Sequence, residues 1–147
     1  MVKELWQCPK CGAKLVTANM WHSCGAYSLE ELFSRSEPHV LPLFHRFVDL
    51  VRSVGPVTVI PQKTRVVMMV RVRFAGAVPR KSHFVASFGF ARRRENPRFH
   101  KIEQYAPHWY GHHTRVASPA DFDTEFLDWI REAYAVGEQR HLILGRS

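Results

Sequence analysis

The stretch RVVMMVRVRF, residues 65–74, decides the fold. Its even positions, Val66, Met68, Val70, Val72 and Phe74, are all apolar, while its odd positions run Arg65, Val67, Met69, Arg71 and Arg73. Side chains of a strand alternate between two faces, so this period of two predicts one strand with an apolar face toward a core. The opposite face ends in guanidinium groups, with Arg71 and Arg73 about 6.6 Å apart at a rise of about 3.3 Å per residue. The same period runs from residue 57 to residue 116, and in SFGF (87–90) and its neighbours Phe84, Phe88 and Phe90 face inward. Turn signals interrupt it at residues 76–79 and at Asn96-Pro97.

On either side of the strands the period lengthens. SLEE, residues 28–31, is a capping box, with Tyr27 and Leu32 placed as a hydrophobic staple. A helix is predicted over 36–54, with Phe44, Phe47, Val48, Val51 and Val54 on one face and Gly55-Pro56 as its stop; Pro42 leaves its start open. SPAD, residues 118–121, caps a last helix to about residue 136, whose buried stripe is Phe122, Phe126, Trp129, Ile130 and Ala133, with Gly137 beyond its end. Strands bracketed by helices predict an α+β fold, an antiparallel sheet with helices packed on one face.

All three cysteines lie in CPKCGAKLVTANMWHSC, residues 8–24. An odd number of clustered cysteines cannot pair fully within one chain, which points to metal in a reducing compartment. Cys8-x2-Cys11 is a tight knuckle spacing, and His22 and Cys24, two apart, share a strand face. Four ligands of type Cys3His predict tetrahedral zinc, Cys8, Cys11, His22 and Cys24, in a closed and therefore structural shell. His39 or His45 stays open as a replacement for His22. The rival reading, a redox dithiol, expects a helix start within a βαβ pattern, which this segment lacks. The division expected is a zinc ribbon over 1–27 and a basic α+β domain over 28–147. No apolar run of roughly 18 residues and no signal-peptide pattern is present, so a cytoplasmic location is expected.

Charge is segregated. The chain of 147 residues has a formal net charge of +8. Residues 51–120 hold thirteen Lys or Arg against two acids, Glu95 and Glu103, a net +11 that leaves −3 for the remainder. Such a segment attracts polyanions, of which nucleic acid is the commonest; the plainer reading is a solvated arginine-rich surface. Carboxylate-metal nucleases and phosphatases need clustered acids, which the sheet segment lacks. The acids of the last helix, Asp121, Asp123, Glu125 and Asp128, read as a dipole complement followed by a solvated face.

YAPHWYGHHTR, residues 105–115, is the remaining chemical candidate. On a strand His112 and His113 point to opposite faces, so they form no joint metal site, while Trp109, His113 and Arg115 share one face and are placed to clamp an anion beside a stacking ring. His112-x-Thr114 matches half of a two-histidine phosphoesterase motif with no second copy. Each histidine taken alone reads as a surface or core residue.

The order WQCPKCG, WHSC, GPVTVIPQKTRV, RVRFAGAVPRK, FARRRENPRF, YAPHWYGHHTRV and FLDWIREAYAVG resembles the uncharacterised bacterial domain of unknown function 5655, in the form with an N-terminal zinc ribbon. The resemblance covers nearly the whole chain. It places the ribbon pattern on Cys8, Cys11, His22 and Cys24, and further family elements on Pro61, Lys63, Arg71, Phe74, His112, His113 and Arg115. It implies a binding or accessory module and supplies no activity.

The expected function is therefore the binding of a phosphate-bearing partner, nucleic acid first, through Lys63, Arg71, Arg73, Arg92, Arg93, Arg94, His113 and Arg115. The alternatives are a small-molecule anion site or phosphate-handling enzyme, with His113 as acid or base and Arg71 and Arg115 as oxyanion partners, and a protein–protein adaptor docking through the ribbon. No catalytic residue is assigned.

Overall fold

The computed structural model describes residues 27–139 and, before them, the backbone of two short strands, β1 (Trp6–Gln7) and β2 (Lys14–Leu15). Cys8, Cys11, His22 and Cys24 lie outside the described residues, as does most of the expected ribbon over 1–27. β1 and β2 pair antiparallel, Trp6 with Leu15 and Gln7 with Lys14.

Helix α1 (Leu29–Leu32) starts where expected, with the Ser28 hydroxyl accepting from Glu31 N–H at 3.1 Å. Helix α2 is Val40–Val54, four residues shorter at its start than the 36–54 predicted. Pro42 falls in its first turn, where backbone amides have no acceptor within the helix, so the missing N–H costs little. Its buried stripe is Val40, Leu43, Phe44, Phe47, Val48 and Val51. Ser118 and Asp121 form a capping box, but on a single 3₁₀ turn, Pro119–Asp121. Asp123 then caps α3 (Thr124–Gly137), accepting from Phe126 N–H at 2.9 Å.

Between the helices lie six strands: β3 (Thr58–Pro61), β4 (Val66–Met69), β5 (Arg73–Pro79), β6 (Phe84–Phe90), β7 (Lys101–Ala106) and β8 (Trp109–Val116). They form one fully antiparallel sheet in the order β3-β4-β5-β6-β8-β7. The α+β class expected from the sequence is thus observed. No helix among the described residues is long and apolar enough to cross a membrane.

The opening stretch departs from its reading. Residues 65–74 are not one strand: β4 ends at Met69, residues 70–72 turn, and β5 starts at Arg73. No glycine, proline, asparagine or aspartate marks this turn. It is held from outside, because the carbonyl of Gly137 at the end of α3 accepts from both Arg71 N–H (2.9 Å) and Val72 N–H (3.1 Å). Phe74 is the extra residue of a register shift against Met68 and Met69, and its ring turns into the core. Residues 76–79, predicted as a turn, lie inside β5. Gly76 is there for close approach: a Cβ on it would sit 2.7 Å from the Val66 carbonyl oxygen.

Strand register sorts the sheet into rows, because paired residues share a face. Val59, Met68, Ala75, Phe88, His112 and Ile102 form one row on the inner face. Helices α2 and α3 cover this face. Phe47 stacks on Phe84 at 5.7 Å and meets Phe88 and Phe126 edge-on, and Phe88 lies 6.1 Å from Trp129. Each fully buried ring contributes about 1.5–3 kcal/mol of transfer free energy. The next row, Ile60, Val67, Gly76, Ser87, His113 and Lys101, faces the other way. The helices leave this outer face uncovered.

Candidate anion-binding face

His112 and His113 point to opposite faces, as their adjacency on a strand requires. His112 is wholly buried. Its Nδ1–H donates to the Tyr110 carbonyl at 3.1 Å and its Nε2 accepts from Arg94 N–H at 2.9 Å, which fixes a neutral ring. Burial pushes its pKa below the ordinary imidazole value. His113 faces outward. Its Nε2 is 3.2 Å from Glu103 Oε1 without hydrogen-bond geometry to it, and burial outweighs that carboxylate, so its pKa also falls. Burial alone would raise the Glu103 carboxyl; Lys101, at 3.4 Å, and His113 hold it below the usual range.

Around His113 the outer face sinks into a hollow of about 300 Å³. Three glycines on adjacent strands, Gly76, Gly89 and Gly111, form its floor. Tyr105 and Trp109 are its walls. Tyr105 is the residue gained in a register shift between β7 and β8, and this turns its ring across Gly111, where a Cβ would lie 2.6 Å from it. Trp109 lies against Gly89, its Nε1 3.6 Å from the position of a Cβ there. The Tyr105 hydroxyl donates to Glu103 at 3.4 Å. Arg65 and Arg73 stand at the opposite side.

Arg65 and Val78 border both this hollow and a larger groove of about 790 Å³ at the end of the sheet. Arg35 after α1, Lys63 and Arg65 between β3 and β4, and Arg80 and Lys81 after β5 line that groove. All five are exposed. Among the described residues no carboxylate pairs with any of them. Ser36 Oγ–H donates to the Arg80 carbonyl and Glu37 N–H to that of Lys81, which fixes the β5–β6 turn against the α1–α2 connection. His39, an alternative zinc ligand by sequence, gives its Nε2–H to Ser82 O at 2.9 Å.

The eight predicted anion-binding residues do not gather in one place. Lys63 lines the groove, and Arg73 and His113 line the hollow. Arg115 is exposed on β8, close enough to His83 to help lower its pKa after the larger effect of burial. Arg71 is not on the outer face beside Arg73; it sits in the hairpin turn and donates to Gln139 Oε1 at 3.3 Å. His113, Arg71 and Arg115 therefore do not converge.

The arginine loop has carboxylate partners of its own. Since β7 lies outside β8, the chain leaving β6 steps over one strand position, and residues 91–100 cross beside α3. Arg92 pairs with Glu132 at 3.0 Å, Arg94 with Glu132 at 3.1 Å and Asp128 at 3.4 Å, and Arg93 with Glu95. Arg98 pairs with Asp123 and Glu125 and lies over the Trp129 ring at 4.8 Å. Asp123, Glu125 and Asp128 stay 46–64% exposed, as a solvated face would, and are also partners of this loop; the Asp121 carboxylate instead accepts from Ala117 N–H and Ser118 N–H.

Sequence reasoning left out Arg35, Arg65, Arg80 and Lys81. The Arg80-Lys81 pair after a strand was a readable signal; the approach of Arg35 from α1 was not.

A family model described as a domain of unknown function (DUF5655) matches residues 29–137. No curated protein and no solved structure matches the chain.

Proposed function

From the premise that this chain belongs to the DUF5655 family, a family of unknown function, we propose that the basic groove at the end of its sheet binds a phosphate-bearing partner, nucleic acid before any other. One observation carries this reading: five exposed cations, Arg35, Lys63, Arg65, Arg80 and Lys81, line one groove, and among the described residues no carboxylate forms a close ion pair with any of them. Their charges face one volume, unlike those of the arginine loop. Phosphate contacts of this kind are tolerant of sequence and release counterions, so affinity falls steeply with salt.

With single strands each phosphate contact contributes a slope of about −0.7 in log affinity against log salt, so five contacts give a loss of about 100-fold between roughly 50 and 200 mM. Fluorescence anisotropy with labelled single-stranded and duplex DNA and RNA measures it. Absence of binding at the lower salt sinks the reading. The triple substitution Lys63→Ala, Arg80→Ala, Lys81→Ala is expected to remove most of the affinity.

We also propose that Cys8, Cys11, His22 and Cys24 hold one zinc ion as a structural staple. The pairing of β1 with β2 supports it, since the chain reverses between Gln7 and Lys14, around the Cys8-x2-Cys11 spacing. Elemental analysis of the purified chain should return one zinc per molecule, and Cys11→Ser should lose it.

A further inference from the structure

We infer that the hollow beside His113 receives a single unpaired nucleobase, stacked against Trp109 and Tyr105, while the flanking phosphates pass over Arg65 into the basic groove. This rests on the phosphate-binding reading above and adds the part of the ligand that enters the hollow.

Size sets the first limit. At about 300 Å³ the hollow is at the small end of ligand sites, roughly 300–1,000 Å³, which suits one base rather than a run of bases. Shape gives the second. Gly111 and Gly89, paired on neighbouring strands, let the Tyr105 ring and the Trp109 indole lie close on the sheet, and Gly76 on the next strand puts no side chain into the remaining space. A hollow lined by two aromatic rings offers a planar ligand surfaces to stack on, and every base has a π-face to offer. Tyr105 is 57% exposed even though its ring packs across Gly111.

Charge gives the third. Arg65 borders the hollow and the groove alike, so a backbone that places a base at Trp109 has its phosphates led toward Lys63, Arg80 and Lys81. Ser87 and His113 line the same hollow and add polar groups to its apolar walls. A base held in a duplex has its faces occupied by its neighbours and cannot enter, so single strands are the expected form.

The test compares oligo(dT) with an oligonucleotide of the same length built from abasic residues, which keeps the phosphates and removes the bases. At low salt the full chain should bind oligo(dT) about ten-fold or more tighter than the abasic strand. Trp109→Ala and Tyr105→Ala should bring oligo(dT) down to the abasic level and leave abasic binding unchanged, whereas Lys81→Ala should weaken both strands equally. Equal affinity for the two strands overturns the base-binding site and leaves the phosphate reading standing. Binding of neither strand overturns both.

Discussion

A neutral imidazole is built into the core at His112, where Tyr110 O and Arg94 N–H take both of its nitrogens. Burial, the largest cause, sets its pKa below the free value of about 6.5. Above that value folded and unfolded rings are both neutral; below it the unfolded ring takes a proton that the folded one refuses. Stability present above about pH 6.5 is therefore lost as pH falls toward the folded value. His113 and His83, also lowered chiefly by burial, act in the same direction. Urea midpoints at several pH values should fall below pH 6.5. His112→Leu should show a shallower fall and cost about 1–3 kcal/mol at pH 7.5, because Arg94 N–H then lacks its acceptor. That the two histidines face opposite ways was legible from their adjacency on a strand. The partner of His112 was not, since the Arg94 amide arrives on a loop whose path depends on strand order.

Among the elements, the β4–β5 hairpin and the arginine loop show what local sequence can hide. A run of Val, Met and Arg has strand propensity throughout, and nothing in residues 70–72 asks for a turn; α3 supplies the acceptor that holds one. The last turn of α3 approaches so closely that a Cβ on Gly137 would sit 2.5 Å from the Phe74 ring. Gly137→Ala should destabilise the fold by about 1–3 kcal/mol through overpacking, measured by urea denaturation. The arginine loop was legible as charge and largely illegible as pairing, because the carboxylates that meet Arg92 and Arg94 come from a helix 34 to 40 positions later. A double-mutant cycle on Arg94 and Glu132, 22% and 27% exposed, should give a coupling of about 0.5–1 kcal/mol. Arg92→Ala and Arg93→Ala should change oligonucleotide affinity by less than about two-fold, against the large loss expected for the groove triple variant.

Over the whole molecule, the period-two pattern announced an antiparallel sheet with helices on one face. Which cations remain without a carboxylate partner depends on tertiary pairing, and a count of charges along the chain cannot supply it. The proposed zinc staple and the sheet domain should respond separately: a strong chelator is expected to remove the metal while the near-ultraviolet signal of the domain over residues 28–139 keeps its melting temperature. Loss of that transition on chelation would contradict a two-part organisation. The Gly137 carbonyl has a consequence in time as well as in space. During synthesis the amides of Arg71 and Val72 emerge long before the atom that will accept from both of them. Until residue 137 clears the ribosome the hairpin stays unlatched, so exchange-labelling of nascent chains should find those two amides open when their strand neighbours are already protected.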